Sequence, residues 1–272
     1  MPQTLLGTSV DDVVHAIFNA EPDELFVVNP AGETTEELVD VANAYDEELP
    51  SISLLGDERT LKDVTDDFIA ASNAANLVEA GDLELRVFDG GARSSMLVTE
   101  NRTVALVDVD DLVGGLTTDD TEFAETAYDA VADDWAAAEA FTLRTPAIDR
   151  VRQTLDEDIG EDVEADFSDA LASMETARGD GDGLDEVTVS LLVAAKNREL
   201  LYDISKWGED VGVASKATFS RVKKKLEDLG LIDTEKVPLD VGRPRLRLKL
   251  ADERLEDAPP AELASAAQSI LS

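Results

Sequence analysis

The chain has 272 residues, 43% of them hydrophobic, which suits two globular domains and excludes a disordered chain. Its 61 acidic and 23 basic residues leave a formal net charge of −38, whose self-repulsion opposes compaction unless salt screens it. There is no cysteine, which excludes a disulfide framework and a thiolate zinc site.

Residues 10–20 read as a helix, and ELFVVNP, ending at Asn29 and Pro30, reads as the first strand. Gly32 leads into TTEELVDVANAYDEEL, whose acidic first turn and helical spacing predict a helix. SISLLG is the second strand, and a further helix is expected from about Leu61 to Ala80. LELRVFD is the third strand and GGARS a glycine-containing loop; SMLVTE and TVALVDVDD are the fourth and fifth strands, joined by a turn at Asn101. The pattern predicts an α/β domain over 1–118 that ends in a hairpin.

From 119 to 178 the reading is mostly helical, with FAETAYDAVADDWAAAEAF and a second run around Ile148 to Ile159, expected to pack on the sheet or to connect two domains. The segment 179–183 reads as a flexible linker. Its GDGDG is similar to a calcium loop, but an EF-hand requires a ligand at Leu184 and a glycine at Asp185.

The region 184–250 carries a helix-turn-helix pattern. DEVTVSLLVAAKN supplies a first helix, interrupted at Asn197 and Arg198, and RELLYDISKWGEDVG a second, with Leu200, Leu201, Ile204 and Trp207 on one face and Gly212 at its end. In VASKATFSRVKKKLEDLGLI, Ser215 is the expected N-cap and Gly230 the residue past the C-cap. Phe219, Val222, Leu226 and Leu229 form the expected inward stripe, while Ala217, Ser220, Arg221 and Lys224, flanked by Lys216 and Lys225, form the outward face.

Two strand-like runs follow, LIDTEKVPL and GRPRLRLKL, joined by Asp240, Val241 and Gly242. The second alternates Arg243, Arg245, Arg247 and Lys249 with Pro244, Leu246, Leu248 and Leu250, as a wing with one cationic face does. The tail 251–272 ends in AELASAAQSILS, a short Ala-rich amphipathic helix that either pairs two subunits or frays.

Charge is segregated in the same place. Leu184 to Leu250 holds 13 basic and 11 acidic residues, and eight of the nine lysines; only Lys62 lies outside it. A cationic segment kept in a chain this acidic points to a polyanion, and small, hydroxyl and cationic residues on one helix face suit the major groove. Ser215, Lys216, Thr218, Ser220, Arg221, Lys224 and Lys225 on the helix, and Arg243, Arg245 and Arg247 on the wing, are therefore the candidate DNA-binding residues. Among them Lys216, Ser220, Arg221 and Lys224 are expected to include the base readers, and the wing arginines to meet backbone or minor groove.

The segment resembles the winged helix-turn-helix of archaeal and bacterial regulators, whose motif reads like VSKSTVSRxLKKLEELGLI. The match runs through Val213, Ser215, Lys216, Thr218, Ser220, Arg221, Lys225, Leu226, Gly230, Leu231 and Ile232. Lys223 departs from it at a usually apolar position, where Val222 is expected to take the packing role, and this leaves the helix rotation open by about one residue.

The N-terminal element order, ending in LVTENRTVALVDVDD, resembles the phospholipase-D-like sensor domain of TrmB-type regulators over about residues 8–145. The catalytic chemistry of that fold needs two His-x-Lys motifs. The single histidine, His15, excludes it, so the expected domain is catalytically inactive and the chain is not an enzyme.

The whole arrangement resembles the TbsP regulator family of haloarchaea. The resemblance implies transcriptional control of sugar and central carbon genes alongside TrmB. TrmB itself carries its DNA-binding domain first, so the order here separates the two.

A high-salt cytoplasm accounts for the acidity, since in molar salt the Debye length falls to about 3 Å. No basic, then apolar leader is present and no run reaches the roughly 18 apolar residues of a membrane span, so a cytoplasmic location is expected.

The expected partners are promoter DNA, a second copy of the chain as homodimer, a sugar or sugar-phosphate effector, and TrmB as co-regulator. No metal or cofactor is expected. For the effector, the candidate residues are Asn29, Gly32 and Thr34 at the first strand-to-helix turn, and Arg93 and Ser94 after Gly90 and Gly91. The alternatives are an enzyme whose helix-turn-helix serves protein contacts, and an architectural or adaptor protein that binds DNA or another regulator without sensing a ligand.

Overall fold

The computed structural model describes residues 4–6, 9–88, 94–109, 112–118, 120–178, 184–238 and 244–271. The expected linker 179–183, the Asp240–Gly242 turn, Arg93 and Arg243 lie outside the described residues. The backbone divides into two compact units, one of residues 1–66 and 73–143, the other of residues 67–72 and 144–272.

The first unit is built on a mixed sheet. Its strands are β1 (Thr4–Leu6), β2 (Glu24–Val28), β3 (Ser51–Gly56), β4 (Leu83–Val87), β5 (Met96–Thr99), β6 (Arg102–Val109), β7 (Leu112–Thr118) and β8 (Glu139–Ala140), in the order β1-β7-β6-β5-β2-β3-β4-β8. β2, β3 and β4 run parallel, and every other neighbour is antiparallel. β2 and β3 are covered on both faces, which is why they read as continuous apolar runs, whereas β4 (LELRV) alternates, with Glu84 exposed.

On one face Leu25, Val27, Ile52 and Leu54 pack with Val13 and Ile17 of helix α1 (Val10–Phe18) and Leu38 and Val39 of α2 (Gly32–Ala44). On the other, Phe26, Val28, Leu55 and Val98 pack with Val131 of α5 (Thr121–Ala137). His15 lies on α1, half exposed beside Asp11.

Several elements differ from expectation. The single helix expected from Leu61 to Ala80 is two, α3 (Glu58–Thr65) and α4 (Phe68–Ala80). Asp67 breaks it: its Oδ1 accepts the backbone N–H groups of Ile69 and Ala70 at 2.8 and 3.2 Å, so it caps α4. β1, β7 and β8 are not expected as strands: LVGGLTT has weak strand propensity, which pairing of β7 with both β6 and β1 overrides, and β8 falls inside the expected helix FAETAYDAVADDWAAAEAF, which ends at Ala137 and lets Glu139 and Ala140 pair with β4. The 119–178 stretch, read as one helical region, divides: α5 lies on the sheet, whereas α6 (Ile148–Asp158) and α7 (Glu161–Ala172) belong to the second unit.

That second unit packs around α8 (Glu186–Lys196), buried at every position from Val187 to Ala195. Val151, Leu155 and Phe167 from α6 and α7 share its core with Trp207 and Phe219. Trp207 crosses Phe167 edge-on at 6.5 Å between centroids, and its indole N–H donates to Thr154 Oγ1 at 3.0 Å. The tail forms α11 (Glu253–Glu256) and α12 (Pro260–Leu271), and Leu263, Ala264 and Ala267 of α12 are buried in the same core. The apolar side of α12 is thus packed within its own unit.

Candidate nucleic-acid interface

Helix α9 (Leu201–Val211) and helix α10 (Lys216–Asp228) form the helix-turn-helix, and close approach fixes their crossing. A Cβ on Gly208 would fall 2.3 Å from Phe219 Cε2 and 2.5 Å from Cζ, so only glycine lets the α10 aromatic ring reach the α9 backbone. Ser215 caps α10: its Oγ accepts the Thr218 N–H at 3.2 Å and lies 3.1 Å from Thr218 Oγ1.

At the other end Gly230 takes φ +74°, its N–H donates to Glu227 O, and Leu231 N–H donates to Leu226 O, both at 3.0 Å. These are the two bonds of a Schellman stop, closed by burial of Leu226 and Leu231 together. Leu229, expected on the inward stripe, is 44% exposed; the left-handed turn at Gly230 hands its inner place to Leu231.

Phe219, Val222 and Leu226 are buried, so Val222 takes the inward place, and Lys223 lies beside it, bonded to Glu227 at 2.8 Å. With this rotation Ala217, Ser220, Arg221, Lys224 and Lys225 are all exposed. Thr218 is engaged in the cap and Lys216 in an ion pair with Glu209 of α9, which also accepts the Lys216 backbone N–H at 3.4 Å. That pair holds the Glu209 carboxyl below and the Lys216 ammonium above their usual ranges.

Strands β9 (Ile232–Val237) and β10 (Arg245–Leu250) form an antiparallel hairpin. Leu248 N–H donates to Glu199 O at 2.8 Å and Leu200 bridges Arg247, so the turn between α8 and α9 holds the hairpin against the helices. The alternation along β10 places Leu248 and Leu250 in the core.

The opposite face is not simply cationic. The register sets Arg247 opposite Glu235 and Lys249 opposite Asp233, at 3.8 and 2.9 Å, and Arg198 also reaches Glu235 at 2.8 Å. Arg245 bonds Asp203 at 3.1 Å and stacks 4.4 Å from the Tyr202 ring centre. The acids of IDTEKV recur at the same period of two as the cations of RLRLKL. Pairing the two runs on paper would have shown the neutralisation. Glu209 and Gly208 carry no comparable local signal.

Among the described residues, Arg221, Lys224, Lys225 and Lys236 make no ion pair, and the three on α10 lie on its exposed face.

Of the expected effector residues in the first unit, Asn29 and Ser94 lie at the same end of the sheet, and Arg93 lies outside the described residues. Asn29 follows β2 at φ 47° with its N–H on Leu55 O at 2.7 Å, Gly32 begins α2, and Ser94 precedes β5, whose Met96 pairs with Val28. Thr34 is buried within the helix layer, at 4% exposure.

A cavity of about 520 Å³ opens elsewhere, where β2 begins and β5 turns into β6. Glu21, Asp23, Glu24, Glu100, Arg102 and Tyr128 line it. The Tyr128 hydroxyl donates to the Glu24 carboxylate, and that bond pushes the phenol up to about 12.

The C-terminal unit matches the family model "Transcriptional regulator TbsP-like, C-terminal HTH domain" over residues 147–268. Residues 2–146 match "Transcriptional regulator TbsP-like, N-terminal". No curated protein sequence matches. A solved structure of TrmBL2, described as an archaeal chromatin protein with a novel mode of DNA binding, is similar at 13% identity and a TM-score of 0.36, over 51% of this chain and 53% of that one. The match thus spans about half of TrmBL2. With its N-terminal α/β unit and its helix-turn-helix both matched, the chain belongs to the TbsP-like family of DNA-binding transcriptional regulators.

Proposed function

We propose that this chain is a sequence-specific regulator of sugar and central carbon genes that binds promoter DNA as a homodimer, with β9–β10 as its wing. The observation that carries this reading is the outward face of α10: Arg221, Lys224 and Lys225 stand exposed and without ion pairs among the described residues, in a chain of net charge −38. An unopposed cationic face on a helix held by cap, Schellman stop and glycine contact suits entry into the major groove.

The first unit, read as a catalytically inactive phospholipase-D-like sensor, is where we place the effector. Its cavity has the volume of a small-molecule site. Four carboxylates against one arginine repel a phosphate, so a neutral sugar, whose hydroxyls donate to carboxylates, suits the cavity better than a sugar phosphate. A high-salt haloarchaeal cytoplasm and co-regulation with TrmB complete the reading.

Genome-wide occupancy with and without glucose tests it: a recurrent motif with nutrient-dependent occupancy is expected, and scattered, nutrient-blind occupancy would refute it. Arg221→Ala separates the architectural alternative. A base reader loses about 1–3 kcal/mol of discrimination at one base pair, whereas a general binder loses affinity evenly across sequences.

A further inference from the structure

The cations of the helix-turn-helix unit fall into two classes. Lys216, Arg245, Arg247 and Lys249 are each held by a carboxylate of the same unit, Glu209, Asp203, Glu235 and Asp233. Arg221, Lys224, Lys225 and Lys236 have no such partner among the described residues. The held class includes three of the candidate DNA-contacting residues.

The two classes differ in what a phosphate contact does to the surrounding ions. A free ammonium or guanidinium that neutralises a phosphate releases DNA-bound counterions, which is the origin of the steep loss of affinity with salt. A cation already on a carboxylate must leave it first. The vacated carboxylate then takes up a cation from solution, and uptake offsets release.

We propose that Glu209, Asp203, Glu235 and Asp233 are built-in counterions of the DNA-binding face, so that contacts through their four cations are exchanges of carboxylate for phosphate with little net ion release. The inference rests on the DNA-binding reading above and adds a mechanism to it: the unit binds DNA with a shallow salt dependence set by the free cations alone. Four free cations give a slope of log K against log salt of about −4 per helix-turn-helix, against about −7 if all eight released counterions.

Glu209 is the sharpest case. It reaches from α9 to both the side-chain and the backbone nitrogen of Lys216, at the first residue of the exposed helix. Its side chain is 44% exposed, so Glu209→Gln removes the charge without opening the core and leaves an amide oxygen for the backbone N–H.

The test is a fluorescence-anisotropy titration of the full chain with a labelled duplex of mixed sequence, across potassium chloride concentrations, for the wild type, Glu209→Gln and Asp203→Asn. Asp63→Asn, whose partner is Arg59 in the sheet unit, removes an equal charge and serves as control. Glu209→Gln is expected to steepen the slope by about 0.9 per bound helix-turn-helix, each contributing a gain over the wild type of about eightfold for each tenfold dilution of salt. Asp203→Asn should do the same through Arg245, and Asp63→Asn should leave the slope unchanged.

With the number of bound chains fixed by a stoichiometric titration, a wild-type slope near −7 per bound helix-turn-helix, about −14 for a homodimer with both on the duplex, or Glu209→Gln and Asp203→Asn both parallel to the wild type while still binding, overturns the counterion proposal and leaves the DNA reading intact. A wild type that binds no duplex at any salt overturns the DNA reading and this proposal with it.

Discussion

Replacing Gly208 by alanine should unsettle the helix-turn-helix despite improving helix propensity. In an exposed helix interior the change stabilises by about 1 kcal/mol. Here the new methyl would sit 2.3 Å from Phe219 Cε2, well inside a normal carbon contact of about 3.5 Å, so the ring or the helix must move by about 1.2 Å. Phe219 is fully buried and has no open space to enter. Overpacking of this kind costs about 1–3 kcal/mol, so after the propensity gain a net loss of up to about 2 kcal/mol is expected.

The assay is denaturant unfolding in molar potassium chloride, followed by fluorescence of Trp207 in a Trp135→Phe background. Phe219→Leu, which lacks the two ring atoms in closest approach, should make the alanine tolerable, so the double variant should lie above the sum of the two singles. Stabilisation by Gly208→Ala, or strict additivity with Phe219→Leu, would refute the claim that glycine sets this crossing. A shift of Phe219 also displaces the first turn of α10, so DNA affinity should fall along with stability.

Two further outcomes follow from single groups. Burial of Glu186, with Asp185 and Asp67 beside it, pushes its carboxyl from 4.5 to about 7. Protonation is therefore favoured in the folded state, and the stability it contributes is full below pH 4.5 and lost as pH rises through about 7. Glu186→Gln should accordingly flatten the melting-temperature profile and stabilise the protein at pH 8 by up to roughly 3 kcal/mol, read by thermal unfolding against pH. No rise in melting temperature above neutrality would contradict that burial cost. Ser215→Ala removes the acceptor for the Thr218 N–H and should cost about 0.5–2 kcal/mol in denaturant unfolding, with Ser215→Gly costing only a few tenths; equal losses would argue against a capping role.

Much of the DNA-binding unit was readable without a fold, because its signals are local. Ser215 and Gly230 bracket α10, and the 3.6-residue spacing of Phe219, Val222 and Leu226 assigns Arg221 and Lys224 to the outward face with Lys225 on its flank. The sheet was only partly readable: β2 and β3 announce themselves as apolar runs and β4 by its alternation, whereas β7, with its paired glycines, is a strand only because β6 and β1 bond it on both sides.

Burial and charge pairing follow the same division. An amphipathic tail declares that it has an apolar side, but only the packed structure assigns that side of α12 to the core of its own unit, alongside α6 and α7. Likewise the sequence by itself determined where the cations are kept, since eight of nine lysines fall between Leu184 and Leu250. Which of them stand free was decided by tertiary structure. Lys216 meets Glu209 and Arg245 meets Asp203 across different elements, and a Coulomb partner within bonding distance is a property of how helices and strands cross, not of chain order.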